Sequence, residues 1–535
     1  MRTENAEGEP QGKAAVAAGG FKVGIVGAGV MGRGIAQVMA QANAAVLLHD
    51  AAPQAAGLAV DSVHQVWQRL AGKGRLTAAD VAANLSRLTA VESLQELAGC
   101  DVVIEAIVER LDAKKALFAE LEQVVAGDAI LATNTSSLSV TAIAAACRHP
   151  GRIAGLHFFN PVPLMRIVEI IGGVRTSRAA VERLKALVGT TSHIGVEVQD
   201  TPGFLINHAG RGYTTEALRA VEEGVATYSE VDRIMREQVC FSTGGFKLGP
   251  FELLDLTGLD VSQAVMESIY HQFYEEPRFR PSVIGAQRAA AGLFGRKTGE
   301  GFYAYIGGDA AASASAAAAP VPGAAVLLSS ALPVFVVEAE HAPGLSALVQ
   351  SLGARLLASA ADAAAQAGVV LIAPLGEDAS AFAARNGLPA GRTVALDTLF
   401  DPGAPGCRRR CLMPTVATDP DALQAAAVLF GADGAAVSIL RDSTGFIAQR
   451  IIAMIVSIGT EIAQQRIARP ADIDLAVKAG LGYPLGPLTM GDELGPCKIL
   501  QILEAIHSST GDPRYRPGGW LRRRARLGLS LLAGD

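Results

Sequence analysis

The chain predicts an α/β fold: a doubly wound parallel sheet, then an all-α domain, then a degenerate repeat of both. Two observations predict it. Over residues 21–200 short apolar runs alternate with helical stretches, which is the pattern of a parallel sheet covered on both faces. After Thr201 helical periodicity takes over, and short signatures from that region return in the same order beyond residue 440.

Residues 1–20 hold Glu4, Glu7, Glu9 and Lys13 among glycine and alanine, with no apolar core for a signal peptide, and are expected to be a disordered leader. FKVGIV at 21–26 reads as the first strand, followed by glycines and the helix-forming GIAQVMAQA. VLLHD at 46–50, DVVIEAI at 101–107 and AILATN at 129–134 read as further buried strands, with a helix from Lys114 to Val125 before the last. The doubly wound domain is therefore set at 21–200. Pro202 and Gly203 break the chain, and amphipathic stretches at 204–224 and 260–274 mark a helical domain over 201–306. Residues 307–330, rich in alanine, serine and proline, read as a linker; the charge-free run 310–337 is too broken by Pro320, Pro322, Gly323 and Pro333 to span a membrane.

Beyond the linker RDSTGF at 441–446 echoes QDTPGF at 199–204, LGP at 485–487 echoes LGP at 248–250, and DPRYRP at 512–517 echoes EPRFRP at 276–281. These echoes predict a second helical domain over 441–535. Between them, GVVLIAPLGED at 368–378 resembles CDVVIEAIVER at 100–110, and GRTVALDT at 391–398 resembles GDAILATN at 127–134. Residues 331–440 are therefore expected to be a degenerate Rossmann-like segment, catalytically silent because it lacks a glycine fingerprint.

A length of 535 residues needs several cores. The formal charge of -6 argues against a global affinity for nucleic acid, so anionic ligands require local cations. The six cysteines are scattered, and the one close pair, Cys407 and Cys411, lacks the partners of a zinc site; reduced thiols, no metal and a cytoplasmic protein are expected. No membrane partner is indicated.

Gly27, Gly29 and Gly32 form GAGVMG between the first strand and a helix, and Asp50 closes the second strand. Gly27 permits the tight turn, Gly29 lets backbone amides approach a pyrophosphate, and Gly32 allows close helix-to-strand packing. Asp50 is placed to accept from ribose hydroxyls and repels a 2'-phosphate, which favours NAD over NADP. Downstream, LHFFNPVPLMRIVEI at 156–170 sets His157 twelve residues before Glu169. A carboxylate on one imidazole nitrogen fixes the tautomer and raises the basicity of the other, so the pair suits a general base beside a hydride acceptor.

With GAGVMG, EAIVE, NTSSL, LHFFNPVP, DTPGF, LGPFELLD and GRKTGEGFY in order, the first 306 residues resemble the L-3-hydroxyacyl-CoA dehydrogenases of β-oxidation. The resemblance implies an NAD enzyme acting on acyl-CoA, with His157 as base, Glu169 as its orienter, and Ser136 and Asn207 around the reacting oxygen. It also implies NAD contacts from Glu109, Lys114, Asn160 and Lys297, and a coenzyme A contact from Lys73. A family serine seven residues before Lys73 is Val66 here. The duplicated tail resembles a long bacterial type from phenylacetate degradation, which implies 3-hydroxyadipyl-CoA as substrate, with 3-hydroxybutyryl-CoA or a general fatty-acid intermediate as the alternative. For the distal carboxylate Arg211, one helical turn after Asn207, is the candidate cation.

In single-copy relatives the helical domain makes the dimer contact, so the tandem copy is expected to form an intramolecular pseudo-dimer, with further homo-oligomerisation left open. Two rivals remain: a β-hydroxyacid dehydrogenase with a catalytic lysine, and an NAD-binding structural protein that has lost its chemistry.

Overall fold

The computed structural model describes residues 20–306, 309–310 and 331–534. The expected leader and linker, apart from Gly20 and the strand Asp309–Ala310, fall outside these residues. The chain divides into two compact units, residues 1–200 and 201–535.

The first unit is built on eight strands: β1 Lys22–Val26, β2 Ala45–His49, β3 Leu88–Val91, β4 Val102–Glu105, β5 Ile130–Thr133, β6 Ile153–Phe158, β7 Ile167–Gly172 and β8 Ile194–Gln199. Their order is β3-β2-β1-β4-β5-β6-β7-β8, and every neighbouring pair is parallel except β6 with β7. The central strands read VVIE and ILAT and are buried throughout, as strands covered on both faces must be. One face packs Ile25, Ile104 and Ile170 beneath helix α1, Val30–Gln41, and the helices Ala55–Gly72 and Arg178–Gly189. The other packs Val103 and Leu131 against Phe118 and Leu121 of helix Leu111–Val124. The walk across the sheet reverses between β1 and β4, which opens a crevice at their carboxyl ends where ligands bind in such sheets.

The second unit holds two helical copies and a second sheet. In the first copy helices Arg211–Glu222, Tyr228–Glu237, Pro250–Thr257 and Leu259–Gln272 follow in order; in the second, Ile447–Gln464, Pro470–Leu481, Pro487–Leu494 and Pro496–Thr510. The repeated LGP has a physical reason. Asp232 accepts from the amides of Phe251 and Glu252 at 2.9 and 3.0 Å, and Asp474 accepts from those of Leu488 and Thr489 at 2.8 Å each. Each carboxylate caps a helix N-terminus from so close that a Cβ on Gly249 or Gly486 would overlap it, at 2.3 and 2.2 Å.

The copies meet reciprocally. Arg278 Nη2 donates to the carbonyl of Arg516 at 2.6 Å, and its counterpart Arg514 donates to the carbonyl of Arg280 at 3.3 Å. Such an exchange is the mark of a two-fold relation. Helices Arg211–Glu222 and Ile447–Gln464 cross so tightly that a Cβ on Gly212 would lie 2.9 Å from Ile455 Cα. Beside the crossing, buried Glu216 receives Arg450 Nε at 2.8 Å and the Tyr515 hydroxyl at 2.7 Å. Helix Ile447–Gln464 is long and apolar enough to cross a membrane by composition, and it is the most enclosed helix of this unit.

The second sheet runs Arg355–Leu356, Pro333–Val336, Val369–Ile372, Thr393–Leu396, Arg409–Pro414, Ala436–Ile439. Val369–Ile372 pairs with Pro333–Val336 in parallel, as β4 does with β1. The match of 391–398 to 127–134 needs correction: Thr393–Leu396 runs antiparallel to Arg409–Pro414, which is the relation of β6 to β7, not that of β5 to any neighbour.

Candidate active site

The antiparallel register of β6 and β7 sets His157 directly opposite Glu169. Their side chains share one face, and His157 Nδ1 lies 2.7 Å from Glu169 Oε2. Glu169 is fully buried and His157 is 5% exposed, so the bond forms away from bulk water. With Nδ1 committed to the carboxylate, Nε2 is the nitrogen through which the ring exchanges protons. Phe159 packs against the imidazole with centroids 4.3 Å apart, and Asn134 Oδ1 accepts from the Phe158 amide at 2.8 Å, which ties the end of β6 to the loop after β5.

The glycine loop has the shape that NAD needs. Gly27 sits at φ 107°, and a Cβ there would strike the Ala106 carbonyl at 2.5 Å. A Cβ on Gly32 would fall 1.7 Å from the Gly27 carbonyl, whereas one on Gly29 would meet nothing within 4 Å. The space over Gly29 therefore admits a ligand group against the backbone. Helix α1 starts at that point with no side-chain cap and no acid in its first turn, so its amides and positive end face that space. Asp50 accepts from the amides of Ala28 and Ala52 at 2.7 and 2.8 Å, one on each oxygen, leaving lone pairs for ribose hydroxyls. These residues fit NAD.

Glu109 gathers the NTSSL loop. Its Oε1 accepts from the Thr135 hydroxyl at 2.6 Å, the amides of Ser136 and Ser137 at 2.8 and 3.1 Å, and their hydroxyls at 3.3 and 3.1 Å. Burial raises the pKa of Glu109, but the Thr135 hydroxyl and the Lys114 ammonium outweigh it and hold the carboxyl below its ordinary value. Ser136 thus donates to Glu109 in this structure. Lys114, the other expected NAD contact on this side of the crevice, is 1% exposed, with Nζ 2.5 Å from Glu105 Oε1 and 3.2 Å from Glu109 Oε2. Asn160 is exposed on the loop after β6, and Lys73 is exposed at the end of helix Ala55–Gly72, with Val66 half-buried two turns earlier.

The remaining predicted residues belong to the second unit. Arg211 Nε donates to the backbone carbonyl of Asn207 at 2.8 Å, so the one-turn spacing joins the two through the main chain. Its Nη1 is buried without a hydrogen-bond partner, and among the described residues no carboxylate pairs with it. Burial pushes its pKa down to about 10. Lys297 forms an ion pair with Asp260 on the surface.

The second sheet repeats the geometry without the chemistry. Asp397 follows Thr393–Leu396 and its amide donates to the Cys411 carbonyl at 3.0 Å, the relation that His157 bears to Glu169. Gln449, at the place in RDSTGF that Asn207 holds after QDTPGF, donates to Asp397 at 2.9 Å, and Gln238 donates to its other oxygen at 2.8 Å. The position of a base is thus filled by a buried carboxylate that is itself fully engaged.

Missed in the sequence were Glu105, Thr133, Thr135 and Asn134, which hold the loops after β4 and β5. The stretches that hold them, EAIVE, AILATN and NTSSL, were visible; their contacts depend on the parallel pairing of Glu105 with Thr133.

Comparison with known proteins agrees with this geometry. The profile of the 3-hydroxyacyl-CoA dehydrogenase NAD binding domain matches residues 22–201, and that of the 3-hydroxyacyl-CoA dehydrogenase C-terminal domain matches twice, at 203–305 and 445–531. The chain is 36% identical to 3-hydroxyadipyl-CoA dehydrogenase of Escherichia coli over 94% of its own length and 97% of the relative's. It is 40% identical to a probable 3-hydroxybutyryl-CoA dehydrogenase of Deinococcus radiodurans, over 53% of this chain and all of that one. A crystal structure of 3-hydroxybutyryl-CoA dehydrogenase from Escherichia coli superposes with a TM-score of 0.79 at 34% identity, covering 95% of this chain and 98% of that one.

Proposed function

The chain belongs to the 3-hydroxyacyl-CoA dehydrogenase family and oxidises 3-hydroxyacyl-CoA to 3-oxoacyl-CoA with NAD, and on that premise we propose that His157 is its general base, oriented by Glu169, and that its substrate is a thioester whose acyl chain ends in a second carboxylate. The observation that carries the catalytic reading is the buried 2.7 Å contact between His157 Nδ1 and Glu169 Oε2.

NAD, when bound, supplies the acceptor for the hydride that leaves C3. His157 takes the C3 hydroxyl proton at Nε2, and the freed electron pair closes the carbonyl as the hydride departs. Glu169 keeps the Nδ1 proton in place before transfer and stabilises the imidazolium after it. In the reverse direction the imidazolium returns the proton, and Ser136 and Asn207 donate hydrogen bonds to the developing alkoxide. Gly27, Gly29, Gly32 and Asp50 would hold the dinucleotide, with Glu109, Lys114, Asn160 and Lys297 as further contacts, and Lys73 would meet a coenzyme A phosphate.

The acyl chain follows from Arg211. A buried guanidinium with no carboxylate partner is costly unless an anion meets it in use. A 3-hydroxyadipyl group brings such an anion, and the similar Escherichia coli protein carries that substrate in its name. A 3-hydroxybutyryl group brings none, though the Deinococcus relative is named for it. The test compares Arg211→Leu with the unaltered enzyme on both thioesters: a loss confined to the adipyl substrate supports the reading, and equal losses on both sink it.

The reciprocal arginine contacts support an intramolecular pseudo-dimer of the two helical copies. A fragment ending before residue 320 that is soluble, monomeric and fully active would contradict that role. The similarity to bacterial acyl-CoA enzymes also favours the cytoplasm.

A further inference from the structure

The turn after helix Pro470–Leu481 packs against the segment that carries Asn207 and Arg211. A Cβ on Gly480 would lie 2.7 Å from Ile206 Cδ1, and one on Gly210 would lie 3.3 Å from Leu481 Cδ1. Two residues on, the Tyr483 ring is buried edge-on against Tyr213 and Phe246, with centroids 5.5 and 5.2 Å away. Arg211 therefore stands between two contacts with the second helical copy. Its Nη1 is enclosed without a hydrogen-bond partner, and among the described residues no hydrogen bond engages the Tyr483 hydroxyl either. Burial raises the pKa of the Tyr483 phenol, and the Arg211 guanidinium works against that rise, so the two groups feel each other. Buried polar groups are normally satisfied; a cation and a neutral donor left open side by side form a cradle for an anion.

The other side of the pseudo-two-fold lacks both groups. In the register that sets QDTPGF on RDSTGF, Arg211 corresponds to Ala453; in the register of the two LGP turns, Tyr483 corresponds to Phe246. A pair needed only to join the copies would stand on both sides, as Arg278 and Arg514 do. This pair stands only beside Asn207.

We propose that Tyr483, from the second helical copy, donates its hydroxyl to the distal carboxylate of the acyl chain together with Arg211, so that the tandem copy completes the substrate site and sets its preference for a dicarboxylic acyl group. The proposal rests on the reading of Arg211 as the cation for that carboxylate. The reach is suitable. Four residues of helix from Asn207 to Arg211 rise about 6 Å. The carboxylate of a six-carbon acyl chain lies three bonds beyond C3, about 4 Å away, and one hydrogen bond of about 2.8 Å closes the gap.

The experiment assays Tyr483→Phe, Arg211→Leu and the two together for kcat/KM on 3-hydroxyadipyl-CoA and on 3-hydroxybutyryl-CoA, with Tm measured for each protein. Tyr483→Phe keeps the ring against Tyr213 and Phe246 and removes only the hydroxyl, so its Tm should match that of the unaltered enzyme. The ratio of kcat/KM, adipyl over butyryl, is expected to fall by about 10- to 100-fold in Tyr483→Phe, the weight of one hydrogen bond to a charged group, carried mainly by KM. Arg211→Leu should lower the same ratio. The double variant should be little worse than the more damaged single one, because both groups act on one carboxylate. If Arg211→Leu lowers the ratio and Tyr483→Phe does not, the second copy takes no part in the site, and the proposal falls while the carboxylate reading stands. Losses that multiply in the double variant, or a Tyr483→Phe protein that loses Tm and suffers equally on both thioesters, would overturn the proposal as well. A ratio unmoved by Arg211→Leu refutes the carboxylate reading itself, and the role of Tyr483 goes with it.

Discussion

Glu169→Gln isolates the orienting carboxylate without opening a cavity, since the two side chains have nearly the same shape. The contact it alters is 2.7 Å long, and the carboxylate is 0% exposed. A hydrogen bond to a charged group is worth about 1.5–3 kcal/mol, and here that group is the imidazolium formed as the proton arrives. At about 1.4 kcal/mol per tenfold in rate, kcat for oxidation should fall by about 10- to 150-fold. A second effect acts in the same direction. A glutamine can present its NH2 to Nδ1 and so draw the proton to Nε2, the tautomer that cannot act as base. The assay is NADH formation at saturating 3-hydroxybutyryl-CoA and NAD, with NADH affinity measured in parallel because the glycine loop is untouched. A variant that keeps more than about half of the original kcat would refute the role of Glu169 as orienter of the base.

Two further predictions concern the helical copies. His208 is 1% exposed, neither ring nitrogen has a partner, and burial, reinforced by the charges of Arg211 and Arg278, pushes its pKa down to about 3. Its folded pKa lies below the unfolded one, so below about pH 6.5 only the unfolded chain takes up this proton, and stability falls by about 1.4 kcal/mol per pH unit toward pH 3. His208→Leu, placed between Phe273 and Phe279, should flatten that acid-side loss in urea unfolding at pH 7 and pH 5; the same pH dependence in both proteins would refute it. Gly212→Leu drives a side chain into the backbone of Ile455 and should cost about 1–3 kcal/mol, read as a lower Tm; an unchanged Tm would mean the helices do not cross so tightly.

The sequence exposed what is local. Continuous apolar runs located β1, β2, β4 and β5, whereas β3 and β8 escaped because they are edge strands with only two buried residues each and no apolar run to mark them. His157 and Glu169 were found through motifs; why twelve residues is the right spacing became visible only in the register of β6 on β7. Lys114 shows the limit from the other side. The resemblance gave this lysine a ligand but no neighbours, and only the parallel pairing of β4 with β5 reveals the carboxylates that bury it. The misplaced match of 391–398 has the same origin: strand direction decides which ancestor a worn strand has, and direction is not written in composition.

The central claim is that a single oriented histidine carries proton transfer in a chain that repeats its helical domain. Its most direct test is His157→Gln, assayed for turnover of 3-hydroxyacyl-CoA and titrated with NADH. The account predicts turnover lower by about 10²- to 10⁴-fold, the usual weight of general acid-base catalysis, with one NADH still bound per chain at its original affinity. Turnover near that of the unaltered enzyme, or a second NADH bound per chain, would contradict it.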